Sequence, residues 1–385
     1  MDSKNWELSF RNRSDIDNRM MINHKSLYTF ALAVLSLLLF PFQLEAQVKP
    51  LKIGVVLCLS GGCQQTGTHA LNGMMLARDE INSKGGILNR PVELVVQDSR
   101  EVDSPSYSVS AYRQLRLDRE ISLFAGPSWS IGGLAIAPIA ARDPVILIAP
   151  TVGLEDFNET ADNIFCLWPH DSVSTKALAE LAIKRGWKRA AVISNTNPWE
   201  SRLARIFQEE YRRLGGVETD FVEHSSSDAT PLRTAATKIR SSKPDLVFMT
   251  NYSQLGLTGR ALKEAGVDAA KMTVLLEDPQ IDVASGALEG TIFATYSDAE
   301  TNFVERFKSR FKISPDMGAD TGYDIVYLYK NAIERVGSTD PLKLRDAILA
   351  TEMTGASGPI RFDSKGGVIK TPIFKRLSGK SREVF

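Results

Sequence analysis

The sequence predicts an α/β protein built from two doubly wound parallel-sheet lobes joined by hinges. Short apolar segments alternate with helical segments from Leu51 onward, a pattern typical of parallel sheets covered by helices. The chain has 385 residues, more than one hydrophobic core usually serves, and the alternation starts again after residues 163–171. We therefore expect a cleft between two lobes whose walls move about hinges near 169–171, 296–300 and 369–372.

The composition is that of an ordinary soluble protein, with 43% hydrophobic and 24% charged residues. The 46 basic and 46 acidic residues balance, so we expect no nucleic-acid partner and no attraction to anionic membranes. The sequence lacks a GxSxG elbow, an HExxH pair and a Walker loop. We predict no catalytic residue, no metal ligand and no cofactor, and keep an α/β enzyme as the less favoured alternative.

Residues 1–46 are predicted to be an N-terminal leader that contains a signal peptide. Lys25 precedes an apolar segment, SLYTFALAVLSLLLFPF, that is short for a membrane span, and Ala46 offers a small residue before Gln47. We expect cleavage there and a periplasmic or other extracytoplasmic location, with an uncleaved anchor as the alternative. The true start stays open among Met1, Met20 and Met21.

The three cysteines of the exported part are Cys58, Cys63 and Cys166. An oxidising compartment permits one disulfide, and we expect the local pair Cys58 and Cys63, with Cys166 buried and free. The alternative, in which the two stay reduced, is left open. The spacing of the three is not that of a metal site.

The first lobe begins with a continuous apolar strand, LKIGVVLC, typical of a buried parallel sheet. A helix follows the loop LSGGCQQTG, because apolar residues recur on one helical face, and Gly85-Gly86 ends it. These apolar residues are Ala70, Leu71, Met74, Met75, Ala77 and Ile81. The strand VELVVQ, a polar helix over 107–117 and the strand ISLFA come next.

The stretch 124–151, FAGPSWSIGGLAIAPIAARDPVILIAPT, predicts a strand, a tight turn, a helix, a second strand and a loop. Both loops would lie at the carboxyl ends of neighbouring strands, where backbone N–H groups and a helix N-terminus attract a small anion such as a carboxylate. Ser130 is therefore a candidate ligand contact, and the alternative is that it only caps the helix.

The second lobe repeats the alternation of strands and helices. Its predicted strands are RAAVIS, VETDFVE, DLVFMT, KMTVLL and GTIFAT, and its predicted helices lie near 172–186, 199–214, 230–241 and 254–265. After Ser297 the pattern becomes helical, in FVERFKSRF, GADTGYDIVYLYKNAIERVG and PLKLRDAILA. The last segments, GPIRFD and PIFKRL, predict strands around the turn SKGG.

Several segments in order resemble the leucine/isoleucine/valine-binding protein family, the type I periplasmic solute-binding component of ABC transporters. They are LKIGVVLCLSGG, LNGMMLARDEINSKGGILNRPVELVVQD, GPSWSIGGLAIAPIAARDPVILIAPT, GRALKEAG, GYDIVYLYKNAIERVGSTDP and GPIRFDSKG. The resemblance implies a periplasmic-binding-protein-like fold of type I. It places 47–170 and 298–370 in lobe 1, and 171–297 and 371–385 in lobe 2.

The resemblance also implies a binding site at the first lobe's strand ends. Ser130 falls where the family places the hydroxyl that binds the α-carboxylate of the ligand. The loop from Thr151 to Gly153 matches a second contact with the carboxylate and ammonium. The chain departs from the family there, because the usual threonine aligns nearer Gly153 and the available hydroxyl is Thr151. Thr66 replaces a bulky aromatic that in some members lines the side-chain pocket.

From the second lobe, Trp199 matches the aromatic residue that closes over the ligand. Glu277 matches the acid that pairs with the ammonium, and Asp278 would serve after a slip of one residue. Tyr252 and Tyr323 match loops that border the cleft. The alternatives are that Trp199 only packs against its surroundings and that Glu277 is a solvated loop acid.

The resemblance implies a monomeric, extracytoplasmic protein that captures an amino acid or a similar small carboxylate or amide. It would deliver this ligand to the membrane permease subunits of an ABC importer. A ligand sensor for a membrane receptor would use the same cleft and remains an alternative. A soluble transcription regulator would need an N-terminal helix-turn-helix, where this chain has its predicted leader. The identity of the ligand stays open.

Overall fold

The computed structural model describes residues 48–225 and 230–385. The predicted signal peptide and the three possible start residues lie outside the described residues. Within the described part, no helix combines the length and the apolar character needed to cross a membrane.

The described chain alternates strands and helices as predicted. The strands are β1 (Leu51–Leu57), β2 (Val92–Asp98), β3 (Leu123–Ala125), β4 (Ile146–Ala149), β5 (Ile164–Cys166), β6 (Arg189–Asn195), β7 (Val217–His224), β8 (Leu246–Met249), β9 (Ala270–Thr273), β10 (Ile292–Thr295), β11 (Met353–Gly355), β12 (Gly358–Ile360), β13 (Ile373–Ser378) and β14 (Ser381–Val384). The α-helices are α1 (Gln64–Ser83), α2 (Pro105–Leu115), α3 (Ser130–Ala140), α4 (Asp171–Lys184), α5 (Pro198–Arg213), α6 (Thr230–Ser242), α7 (Leu255–Glu264), α8 (Asp278–Ala284), α9 (Thr301–Phe311), α10 (Ala319–Val336) and α11 (Pro341–Leu349).

The first sheet has the strand order β2-β1-β3-β4-β5, and all its pairs are parallel. Successive residues of β1 point to opposite faces, as the pleat of a strand requires. Val55 packs in a core shared with α1, α9, α10 and α11, whereas Val56 packs in a core shared with α2 and α3. Helices therefore cover both faces, which explains why β1 has no alternation of apolar and polar residues after Lys52.

The second sheet has the order β14-β13-β10-β9-β8-β6-β7. Strands β6 to β10 pair in parallel, and two separate cores cover the two faces, with Val247 in one and Phe248 in the other. The fold class is thus confirmed, with one difference at the C-terminus. Strands β13 and β14 extend this sheet antiparallel, while β12, from the predicted strand GPIRFD, pairs with β11 in a separate hairpin.

The chain passes from one sheet to the other through residues 167–170, 296–300 and 361–372. Helices α9 to α11 return to the core of the first sheet, because their apolar residues pack beside β1 and β4. The hinges and the lobe boundaries that the sequence places near these crossings stay predictions.

The disulfide prediction is confirmed. Cys58 and Cys63 form a disulfide between the end of β1 and the start of α1, with their Cα atoms 5.7 Å apart. Cys166 is a buried free thiol whose Sγ lies 2.8 Å from the carbonyl oxygen of Val152.

Candidate ligand-binding cleft

The loops at the carboxyl ends of strands from both sheets meet around a cavity. Loops after β3, β4 and β5 form one wall, and loops after β6, β8 and β9 form the other. The lining residues are Trp129, Ser130, Ile131, Thr151, Gly153, Trp168, Asp171, Asn197, Trp199, Glu200, Tyr252, Leu275 and Met317. A mostly apolar lining with a few polar groups is typical of a small-molecule site, and we name this cavity the cleft.

Ser130 is the first residue of α3, and its hydroxyl does not cap the helix. Trp129 occupies the N-cap position without a side-chain cap, while the Oγ of Ser130 accepts a hydrogen bond of 3.3 Å from the backbone N–H of Gly153. Thr151 is also turned inward, and its Oγ1 donates to the carbonyl oxygen of Ser128. The loops after β3 and β4 are therefore tied together at the cleft.

A buried glutamate holds the loop that carries Ser130. The Oε1 of Glu101 accepts the backbone N–H of Trp129, and its Oε2 accepts the hydroxyl of Ser99. Burial raises the pKa of Glu101 to about 7 despite these hydrogen bonds. Gly132 packs so closely on this side chain that an added Cβ would lie 2.9 Å from its carboxyl carbon.

At Gly153, where the resemblance predicts a threonine, the space for a side chain is occupied by Asp171. A Cβ built on Gly153 would lie 1.8 Å from the Oδ2 of Asp171, closer than any real contact. The backbone of the two residues is also joined, because the N–H of Asp171 donates to the carbonyl oxygen of Gly153 at 2.9 Å. Glycine at 153 is therefore what admits the Asp171 carboxyl group to the cleft.

Two indole groups hold the carboxyl group of Asp171. Trp168 donates its Nε1–H to Oδ1 at 3.1 Å, and Trp199 donates its Nε1–H to Oδ2 at 2.8 Å. Burial raises the pKa of Asp171 to about 7, and the nearby Glu155 raises it further, whereas the two indole hydrogen bonds lower it. Trp199 thus does more than pack, because it fixes an acid in the cleft.

Aromatic rings from both walls meet at the edge of the cleft. Trp129 comes from the loop after β3 and Tyr252 from the loop after β8. Their ring centroids lie 5.7 Å apart, at an angle of 74° between the rings. The ring centroids of Trp199 and Tyr252 lie 6.1 Å apart, at an angle of 85° between the rings. The contact between Trp129 and Tyr252 joins the two walls, whereas Trp199 and Tyr252 belong to the same wall.

Glu277 lies outside the cleft. It lines a neighbouring cavity with Thr66, and Trp129 and Tyr252 line both cavities. The hydroxyl of Tyr252 donates to the Oε2 of Glu277, and Glu277 is also the N-cap of α8, in a capping box with Gln280. Burial raises the pKa of Glu277 to about 8, and the nearby Asp316 raises it further.

Asp278 and Tyr323 do not line the cleft either. Asp278 is exposed and its Oδ1 accepts a hydrogen bond of 2.7 Å from Arg382. Tyr323 is 8% exposed in the core of the first sheet, where its hydroxyl donates to Glu80 at 2.7 Å. The structure therefore gathers five of the nine predicted residues around the cleft, namely Ser130, Thr151, Gly153, Trp199 and Tyr252.

Sequence reasoning missed Asp171, Glu200, Trp129 and Trp168 as lining residues. A signal for the tryptophans exists in the sequence, because Trp129, Trp168 and Trp199 each follow the carboxyl end of a strand within four residues. Asp171 and Glu200 give a weaker signal, because each lies in the first turn of a helix. Acidic residues are common there, since the helix dipole favours negative charge at the N-terminus. Among residues 48–225 and 230–385, no group of three or more His, Cys, Asp or Glu could hold a metal ion.

The chain belongs to the periplasmic binding protein family, whose profile matches residues 50–374. Among curated proteins it is similar to the Leu/Ile/Val-binding protein BraC3 of Rhizobium johnstonii, with 25% identity over 85% of this chain and 92% of the relative. Among solved structures it is similar to the leucine-binding protein LivK of Thermotoga maritima, with a TM-score of 0.78 and 26% identity over 87% of this chain and 97% of that one. A solute-binding protein of R. palustris in complex with benzoate shares the fold, with a TM-score of 0.76 and 20% identity over 87% of this chain and 95% of that one.

Proposed function

We propose that this protein captures a small solute outside the cytoplasm and delivers it to the permease subunits of an ABC importer. The solute is an amino acid or a related small molecule, as the names of the leucine-binding relatives suggest. The observation that carries the proposal is the cleft itself, which is closed by side chains from both sheets at the carboxyl ends of their strands.

The geometry supports roles for the individual residues. The hydroxyl hydrogen of Ser130 and the N-terminus of α3 offer hydrogen-bond donors for a carboxylate or another acceptor. Trp199 and Tyr252 close over the ligand from the second sheet and exclude water, which strengthens polar contacts inside. Closure would turn on the three chain crossings, where few residues connect the two sheets.

A thermal-shift screen of amino acids, small carboxylates and amides tests capture. A ligand present at a hundred times its dissociation constant should stabilise the protein by about 2.7 kcal/mol. Small-angle scattering of the same samples tests closure, and an unchanged radius of gyration at saturating ligand contradicts it. The Trp199→Ala variant should bind more weakly, whereas Trp187→Ala, at the far end of α4, should bind normally.

Delivery and export need separate experiments. Deleting the gene should abolish uptake of the radiolabelled ligand, and re-expression should restore it. Uptake that survives the deletion, with ligand binding intact in vitro, would favour a sensor over a transporter component. Mass spectrometry of the secreted or periplasmic fraction should find a chain that begins near Gln47, and an intact leader there would contradict export by a cleaved signal.

A further inference from the structure

The charged groups of the cleft are all of one sign. Within the described part of the chain, its lining contains the carboxyl groups of Asp171 and Glu200 and no lysine, arginine or histidine. A buried carboxyl group without a basic partner is costly when it is ionised. A ligand that brings a positive charge would supply the missing partner, whereas a purely anionic ligand would supply none.

Glu200 is the clearest sign that a partner is missing. Its side chain is 4% exposed, and its Oε2 has no hydrogen-bond partner among the described residues. Burial raises its pKa to about 8, and the N–H of Ser253 is the group that opposes this rise. Its position in the first turn of α5, next to Trp199, places this acceptor at the wall of the cleft.

The remaining walls suit a cation as well. Three indole rings, from Trp129, Trp168 and Trp199, and the phenol ring of Tyr252 line the same cavity. Tyr252 stands nearly perpendicular to Trp129 and to Trp199, so the rings form adjoining walls instead of a flat stack. Aromatic walls around an ammonium group attract it through the negative faces of the rings.

We infer that the cleft selects its ligand by an ammonium group, which lies among the indole rings and is held by Glu200 and Asp171. This inference rests on the proposed function and names the ligand class of the same site. The resemblance gives the ammonium to Glu277, but Glu277 lines the neighbouring cavity and not the cleft. A carboxylate on the ligand is accommodated at Ser130 and is not required.

An unpaired donor in the cleft gives the ligand room for one acceptor atom. The Nε1–H of Trp129 is buried and has no partner among the residues that the structure describes. Amino acids, betaines and amino alcohols all combine an ammonium with such an acceptor. Benzoate, which occupies the related protein of R. palustris, has no ammonium and should bind poorly here.

Calorimetry with matched ligands tests the inference. Each amino acid that binds is compared with the amine that lacks its carboxylate and with the acid that lacks its ammonium. For leucine these analogues are 3-methylbutylamine and 4-methylpentanoate, and choline and glycine betaine serve as quaternary ammonium probes. We expect the amine or a quaternary probe to bind at least about tenfold more tightly than the matched acid, since a hydrogen bond to a charged group contributes about 1.5–3 kcal/mol. An acid that binds as tightly as its amine overturns the inference.

Variants identify the acids that hold the charge. Glu200→Gln and Asp171→Asn keep the shape of the side chains and should each weaken binding of the ammonium ligand by about ten- to a hundredfold. Glu180→Gln is the matched control, because Glu180 lies on the exposed face of α4, the helix that begins at Asp171. Unchanged affinity in Glu200→Gln and Asp171→Asn, with normal far-UV circular dichroism, overturns the assignment.

The outcomes also separate this inference from the proposed function. If only compounds without an ammonium group bind, capture of a small solute stands and the inference fails. If no amino acid, amine, carboxylate or amide of the panel binds, both fail. Native mass spectrometry of the purified protein adds an independent readout, since any ligand retained from the cell must carry an ammonium group.

Discussion

Replacement of Trp199 by phenylalanine removes the indole N–H that holds Asp171 and leaves an aromatic ring in its place. The lost hydrogen bond is 2.8 Å long, and Trp168 becomes the remaining indole donor to this carboxyl group. At pH 8.5, above the pKa of about 7, Asp171 is mostly ionised. A hydrogen bond to a charged group contributes about 1.5–3 kcal/mol, and one to a neutral group about 0.5–1.5 kcal/mol.

Trp199→Phe should therefore lower the free energy of unfolding of the empty protein by about 1 kcal/mol more at pH 8.5 than at pH 5.5. Urea unfolding at the two pH values, followed by circular dichroism, measures this difference. Trp129→Phe is the matched control, because the Nε1–H of Trp129 has no partner among the described residues and its removal should cost the same at both pH values. An equal cost at both pH values for Trp199→Phe would refute the role of the indole hydrogen bond.

Three further predictions concern other parts of the chain. Ser130→Ala should weaken ligand binding by about tenfold, measured by calorimetry, and lower the free energy of unfolding by only about 1 kcal/mol, because it loses one long hydrogen bond from Gly153; normal affinity would exclude Ser130 from the site. Reduction of the Cys58–Cys63 disulfide should lower the free energy of unfolding by about 2 kcal/mol, since the disulfide closes a short loop. A melting temperature that is the same with and without reductant would contradict this. Asp278→Asn should change neither ligand affinity nor stability by more than about 1 kcal/mol, because its ion pair is exposed; a clear loss of binding would return this acid to the site.

The sheets could be predicted from the sequence because their signals are local. The residues of β1 alternate between two helix-covered faces, so apolar residues follow one another from Ile53 to Leu57 with only Gly54 among them, and that pattern is local. The antiparallel end of the second sheet was not predicted. Strand β13 pairs with β10, about eighty residues earlier, and no local pattern specifies such a partner.

In the candidate site, too, the residues with a local sequence signal could be predicted, and those that depend on distant contacts could not. Ser130, Thr151 and Gly153 could be placed at the cleft because they follow strands of a parallel sheet, whose carboxyl ends share one edge. The role of Asp171 could not be predicted, because it depends on a close approach to Gly153 and on indole donors from two different loops. The place of Glu277 in the neighbouring cavity likewise depends on its contact with Tyr252, which comes from a different loop.

Ionisation of Asp171 and Glu200 in the cleft lowers the free energy of unfolding of the empty protein. A positively charged ligand would offset this loss when it binds. Their pKa values are raised by burial, so the folded protein keeps protons that the unfolded chain releases at lower pH. Their contribution to stability is therefore greatest at low pH and is lost as the pH rises through about 7 for Asp171 and about 8 for Glu200. A bound ammonium favours the ionised form of both acids, lowers both pKa values and removes this cost. The carboxyl groups that weaken the empty protein near neutral pH are thus the groups through which a cationic ligand would stabilise the closed one.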